Sequence, residues 1–120
     1  MINSYRELTV WQKSIELVTE VYNLSNAFPK SELFGITNQM RRSVVSIPSN
    51  IAEGYLRKNR PEYLQFLRIA FGSGAELETQ LLISKNLKLS RVDNFKKSEN
   101  LIDEVMKMLN KLTTSLESRP

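Results

Sequence analysis

Apolar residues recur along nearly the whole chain at the three-and-four spacing of an α-helix, and no Val/Ile/Thr-rich alternating stretch reads as a strand. The first predicted helix runs from about Leu8 to Ala27. Phe28-Pro29-Lys30 ends it, because proline disfavours helical backbone at the residue before it. Trp11, Ile15, Val18 and Tyr22 form one stripe on this helix; Val10, Leu17, Val21, Leu24 and Phe28 form another. Together they are wider than a single buried face, which predicts two packing partners.

The second helix is predicted from about Glu32 to Arg57. Ile36, Met40, Val44, Ile47, Ile51 and Tyr55 fall within an arc roughly 100° wide at about 100° per residue. Pro48 lacks a backbone donor and clashes with the carbonyl four residues earlier, so a kink is expected. The alternative is two short helices, but the apolar arc keeps its phase across Pro48. Ser43, Ser46 and Ser49 are placed to satisfy backbone groups freed there. The opposite face carries Gln39, Arg42, Ser46, Ser49, Asn50, Glu53 and Arg57. A row of hydroxyl, amide and guanidinium groups suits recognition better than the Lys and Glu of an ordinary solvent face.

Asn59-Arg60-Pro61-Glu62 opens a third helix, with Asn59 as cap, Glu62 completing a capping box and Pro61 in the first turn. Its apolar arc comprises Tyr63, Leu64, Phe66, Leu67, Ala70, Phe71, Gly74, Leu77, Leu81 and Leu82. The arc continues through Gly72-Ser73-Gly74, which reads as close helix–helix approach. Glu78 falls inside the arc. Either it is buried against Arg41 or Arg42, or it lies at the edge and reaches water. Ser90, with Asp93 at the box position, is the expected cap of a fourth helix. There Phe95, Ile102, Val105, Leu109, Leu112 and Leu116 form the apolar stripe, Leu101 and Met108 flank it, and Glu117 to Pro120 are expected to fray.

Four helices with short connections predict an all-α, antiparallel up-down-up-down four-helix bundle in one domain over residues 1–120. The surplus apolar surface of helix one (Leu17, Val21 and Leu24 among it), together with Ile69, Gly72 and Ile83 on the back of helix three, points to self-association; a monomer with scattered apolar surface is the plainer alternative. The net charge is +4, and the stretch from Arg41 to Arg68 holds a surplus of the same size. Arg41, Arg42, Arg57, Lys58, Arg60 and Arg68 face only Glu53 and Glu62 there. Arginine suits bidentate contact with phosphate or carboxylate. The two readings of this stretch are a polyanion site and a solvated basic face.

With no Cys and no His, neither a catalytic triad nor a His- or Cys-bearing metal centre can be built. Glu76 and Glu78 are two apart and point to different faces, so they form no carboxylate dyad. Gly72-Ser73-Gly74 lacks the strand and the Lys-Ser/Thr of a phosphate loop. The expectation is a non-enzymatic protein with no cofactor and no metal. The chain also lacks a membrane-length apolar run and the layout of a signal peptide, so a soluble cytoplasmic protein is expected.

The segments Leu8-Thr9-Val10-Trp11-Gln12-Lys13, Arg41-Arg42-Ser43, Ser46-Ile47-Pro48-Ser49-Asn50-Ile51-Ala52-Glu53-Gly54 and Gly72-Ser73…Glu76-Leu77-Glu78-Thr79-Gln80-Leu81 resemble a small bacterial four-helix-bundle family. Its first members are encoded within intervening sequences of large-subunit ribosomal RNA genes, and it also carries a ribosomal-protein-like name. A more distant resemblance is to the accessory protein of diversity-generating retroelements, a pentameric barrel that binds nucleic acid and a reverse transcriptase. The resemblance implies a homopentamer with a basic surface for RNA or DNA. Its motif positions here are Arg41, Arg42, Ser46, Pro48, Ser49, Asn50, Glu53, Gly54, Gly72, Ser73, Glu76 and Glu78. Asn59 departs from the Ser common at its position and preserves the capping chemistry.

The leading expectation is an oligomer that binds RNA or DNA through phosphates, with little sequence preference. Arg41, Arg42, Arg57, Lys58, Arg60 and Arg68 are its candidate contacts, and Ser46, Ser49 and Asn50 its polar helpers. Tyr55 and Tyr63 flank the basic loop as candidate stacking residues or core. The alternative is a protein-interaction scaffold in which the arginines serve assembly or acidic protein partners. Glu53 and Glu78, with Gly72, Ile69, Ile83, Leu17, Val21 and Leu24, are then structural or oligomer contacts.

Overall fold

The computed structural model describes residues 2–119. Four helices account for most of them: α1 (Thr9–Asn26), α2 (Asn38–Tyr55), α3 (Arg60–Asn86) and α4 (Lys96–Glu117). Each helix packs on its neighbours in sequence, and α1 also packs on α4, which closes an antiparallel four-helix bundle. The molecule measures 49 × 24 × 21 Å. The α2–α3 hairpin makes the most extensive contact of all.

Burial follows the helical period. Leu17 and Val21 of α1, Met40, Val44, Ile47 and Ile51 of α2, Leu67, Ala70 and Leu77 of α3, and Val105 and Leu109 of α4 are sealed from solvent. Phe28, just past α1, meets Phe95, just before α4, with ring centroids 6.0 Å apart. Helix α1 has the two partners its width implies, α2 and α4. The stripe headed by Trp11 is only partly covered: Trp11 and Val18 are half-buried, while Ile15 and Tyr22 remain exposed.

Several boundaries differ from expectation. Helical structure begins near Lys30, but as a 3-10 turn (Lys30–Glu32) and a π turn (Leu33–Thr37), so α2 proper starts at Asn38. The backbone leaves helical angles at Gly35 (φ −110°, ψ −118°). Helix α2 then continues through the buried Pro48 as one element. Ser49 donates to the Val45 carbonyl at 2.9 Å and Asn50 to the Ser46 carbonyl at 2.8 Å. Ser43 and Ser46 instead reach across to α3.

Asn59 caps α3 as predicted: its Oδ1 accepts the Glu62 backbone N–H at 2.9 Å, and its amide donates to the Glu62 carboxylate. Helix α3 ends in a Schellman closure, with Leu89 N–H on the Ser84 carbonyl and Lys88 N–H on that of Lys85, both at 3.1 Å. Lys88 holds the left-handed position, φ 57°. Ser90 does not cap α4. Its hydroxyl accepts from Asn94 at 2.8 Å, Asp93 pairs with Arg91, and a 3-10 turn (Val92–Phe95) leads into the helix. The expected fray also fails over most of its length. Glu117 closes α4 and binds Arg68, and Ser118 N–H bonds to the Thr114 carbonyl; Pro120 lies outside the described residues.

The largest correction concerns the rotation of α3. Ser73, Gln80 and Ser84 are buried, whereas Phe71, Glu78 and Leu82 face outward. Glu78 is exposed, so of the two readings the one at the arc's edge, reaching water, holds, and burial against Arg41 or Arg42 does not. The predicted arc was centred by hydrophobicity alone. The real one is turned toward Ser73 and Ser84, whose hydroxyls find partners on α2 in Ser46 and Met40 and whose size lets the helices approach. The close approach belongs to other glycines than Gly72. A Cβ on Gly54 would lie 2.7 Å from the Cβ of Phe66, and one on Gly74 would overlap the sulfur of Met106. A Cβ on Gly72 would meet nothing within 4 Å.

Candidate nucleic-acid interface

The α2–α3 turn carries a recess of about 520 Å³ lined by Arg57, Lys58, Asn59, Arg60, Tyr63 and Arg119, among others. Four of these are cations, and they converge for distinct reasons. Arg57 lies just past α2, where its guanidinium sits 4.7 Å over the Phe66 ring and pairs with Glu53 at 3.1 Å. Lys58 occupies the turn, exposed, and makes no ion pair among the described residues. Arg60 starts α3 and donates to the Arg119 carbonyl at 3.0 Å, which draws the end of α4 onto the turn. The positive end of the α3 dipole adds to the same field. Sequence reading missed Arg119, since only the return of α4 brings it here.

Tyr63 forms one wall. It meets Tyr55 edge-on at 6.1 Å, and Tyr55 donates its hydroxyl to the Ile2 carbonyl at 3.0 Å. Burial pushes the Tyr63 phenol above its ordinary range; Tyr55 adds to the rise, and Arg119 opposes it. Both rings are thus committed to packing and to holding the N-terminal segment.

The other predicted contacts lie elsewhere. From Arg41 to Arg57 α2 climbs roughly 24 Å, so Arg41 and Arg42 sit far from the turn. Arg41 is used internally: it donates to Ser25 and Asn26, both at 2.9 Å, and lies 4.6 Å over the Tyr22 ring. Arg42 is exposed and has no partner among the described residues. Arg68, on the flank of α3, pairs with Glu117 at 2.6 Å. Ser49 is satisfied within its own helix.

Near Arg42 the α2–α3 seam opens into a cleft of about 400 Å³, lined by Gln39, Arg42, Ser43, Ser46, Ser73, Glu76 and Gln80. Ser43 donates to Glu76 at 3.1 Å, Ser46 and Ser73 share a bond of 2.9 Å, and Asn50 donates to the Ser46 hydroxyl at 2.9 Å. Gln80 is 7% exposed, and its Oε1 is buried with no hydrogen-bond partner. The sequence flagged Ser46, Ser73, Asn50 and Glu76. Gln80 occurs only within the family-like segment ending at Leu81 and is assigned no role there.

Of the residues expected at structural or oligomer contacts, Leu17, Val21 and Leu24 belong to the core of the chain itself. Ile69 (45% exposed) and Ile83 (43% exposed) lie open on α3, as does Gly72.

Residues 6–111 match the profile of the family described as 23S rRNA-intervening sequence protein. The chain belongs to this family. A solved structure similar to it is a protein of unknown function from the S23 ribosomal protein family of Bacteroides thetaiotaomicron. The two share 24% identity with a TM-score of 0.81, over 88% of this chain and 95% of that one; at this identity the likeness establishes the fold alone. No protein of curated function matches the chain. Among the described residues, no helix is long and apolar enough to cross a membrane.

Proposed function

We propose that this protein is a non-enzymatic, oligomeric cytoplasmic protein that binds RNA or DNA through phosphate contacts at the α2–α3 turn, with little sequence preference. The observation that carries this reading is the convergence of Arg57, Lys58, Arg60 and Arg119 around one recess at the start of α3. Phosphate oxygens are the ligands that guanidinium groups, an ammonium group and a helix N-terminus favour together. The family's description as an rRNA-intervening sequence protein agrees with this reading. A homopentamer would repeat the recess five times and raise avidity. The exposed Ile69 and Ile83, on the same helix as the open Gly72, support a contact between copies.

A second reading has one specific support. Arg41, Arg57 and Arg68 are each engaged within the chain, as expected of a scaffold whose arginines serve architecture and protein partners. Titration of labelled single-stranded RNA, double-stranded RNA and DNA at several salt concentrations, alongside light scattering for subunit number, separates the two. Binding that weakens steeply with salt supports the first. Absence of binding at low salt with assembly intact removes it.

A further inference from the structure

We propose that a second copy of this chain docks beside the first with the Arg42 guanidinium of one copy on the Glu78 carboxylate of the other. Both charges stand alone within the chain. The arginines around Arg42 in sequence are engaged: Arg41 with Ser25, Arg57 with Glu53, Arg60 with the Arg119 carbonyl and Arg68 with Glu117. Arg42 is exposed and makes no ion pair or hydrogen bond among the described residues. Glu76 lines the cleft beside it, yet accepts from Ser43 and forms no ion pair with Arg42. Glu78 is exposed and equally without a partner among the described residues. Lys85, two turns further along the same line of α3, is taken by Glu99 at 3.0 Å.

Each charge stands beside exposed apolar side chains. Tyr22 and Val45 are exposed and line the α1–α2 recess together with Arg42. On α3, Phe71 lies two turns before Glu78 and Leu82 one turn after it, both exposed, with Ala75 between them. Two apolar strips of this kind, one carrying a lone cation and the other a lone anion, are complementary. Burial of the strips drives association, and the opposite charges fix its register.

The heights of the two charges agree as well. Ser43 bonds to Glu76 across the antiparallel α2–α3 pair. One residue back along α2 is Arg42, and two residues on along α3 is Glu78, so the pair is level to within about 1.5 Å of helical rise. Copies set side by side by rotation about an axis parallel to the bundle keep every residue at its own height. Arg42 of one then meets Glu78 of the next without sliding. The two strips lie on different faces, because Glu78 is about 200° around α3 from both Glu76 and Gln80, which line the cleft toward α2. The contact is therefore head-to-tail and uses both faces of every copy, as a ring requires. Arg57 and Lys58, roughly 24 Å further along the bundle, stay clear of it. This inference rests on the oligomer reading above and supplies the two surfaces that join.

Assembly of the full chain is followed by light scattering and sedimentation over a concentration series. Arg42→Glu and Glu78→Arg each set like charges against one another, and each raises the concentration at half-assembly on the order of tenfold or more. The double variant Arg42→Glu/Glu78→Arg restores the pair with its signs exchanged and returns to within about threefold of the wild type. Arg42→Gln and Glu78→Gln shift it by up to about fivefold, and carry the test if a reversal loses its melting transition. Assembly unmoved by these changes, moved by those at only one of the two positions, or not recovered in a folded double variant overturns the pairing and leaves the oligomer reading standing. A wild-type chain that stays monomeric at every concentration overturns both.

Discussion

Arg57, Lys58 and Arg60 meet at the end of the bundle because they are neighbours around one turn, whereas Ser43, Ser46, Ser73 and Glu76 meet because two helices press flat against each other. The first group is largely open to solvent and rich in charge. The second is partly buried, and its hydroxyls are spent on one another. A charged surface of the first kind meets many anionic ligands about equally, since long side chains adapt and phosphates are alike. A cleft of the second kind selects, because its groups are held in place by packing and each mismatch leaves a buried atom unsatisfied.

The sharpest way to break this contrast is through salt. Removing the charges of Arg57, Lys58 and Arg60 together lowers the slope of log affinity against log salt by about 2 to 3, measured by anisotropy with single-stranded RNA. Arg42→Gln lowers the same slope by less than about 1. Equal losses from the two variants would mean that the turn and the cleft form a single electrostatic surface.

Packing provides the next test. Gly54→Ala places a Cβ against the Cβ of Phe66 and the Tyr63 backbone, and costs about 1–3 kcal/mol in urea unfolding. Gly72→Ala meets open space within the chain and gains roughly 0.5–1 kcal/mol from helix propensity. If Gly72→Ala instead disrupts assembly in sedimentation, a second copy lies against it.

Helix number, the α1 limits, the Asn59 cap and the core of α2 were legible because each depends on local chemistry or on a long, regular apolar period. The rotation of α3 was not. Ser73, Gln80 and Ser84 look like surface residues until the facing hydroxyls of α2 are known, and their burial depends on a pairing between distant stretches of chain. For the same reason the turn could be read from adjacent arginines, while Arg119 became visible only once α4 had returned to it. Glu78 shows the converse: its angle left burial and an edge position both open, and only the packed rotation of α3 decided for water.

The smallest expected effect lies in alkaline solution. Burial raises the Tyr63 phenol above its ordinary value of 10.0, so the folded state holds that proton more tightly than the unfolded chain does. The resulting stabilisation is fully present below pH 10 and fades as pH rises through the folded value. Tyr63→Phe removes this fading, so its stability falls less steeply than the wild type's above pH 10 in denaturant titrations. Equal slopes would mean that the phenol is as well hydrated in the fold as outside it.

At Gly74 the missing side chain is replaced by the thioether of Met106 on α4. That exchange joins α3 to α4 through the softest atom in the neighbourhood, and it exposes the junction to oxidants. Conversion of Met106 to its sulfoxide puts a polar oxygen where two helix surfaces touch. Mild peroxide treatment therefore lowers the melting temperature in step with Met106 oxidation followed by mass spectrometry, and Met106→Leu protects against the loss. An unchanged melting temperature at full Met106 oxidation would show that the sulfur turns outward at no cost.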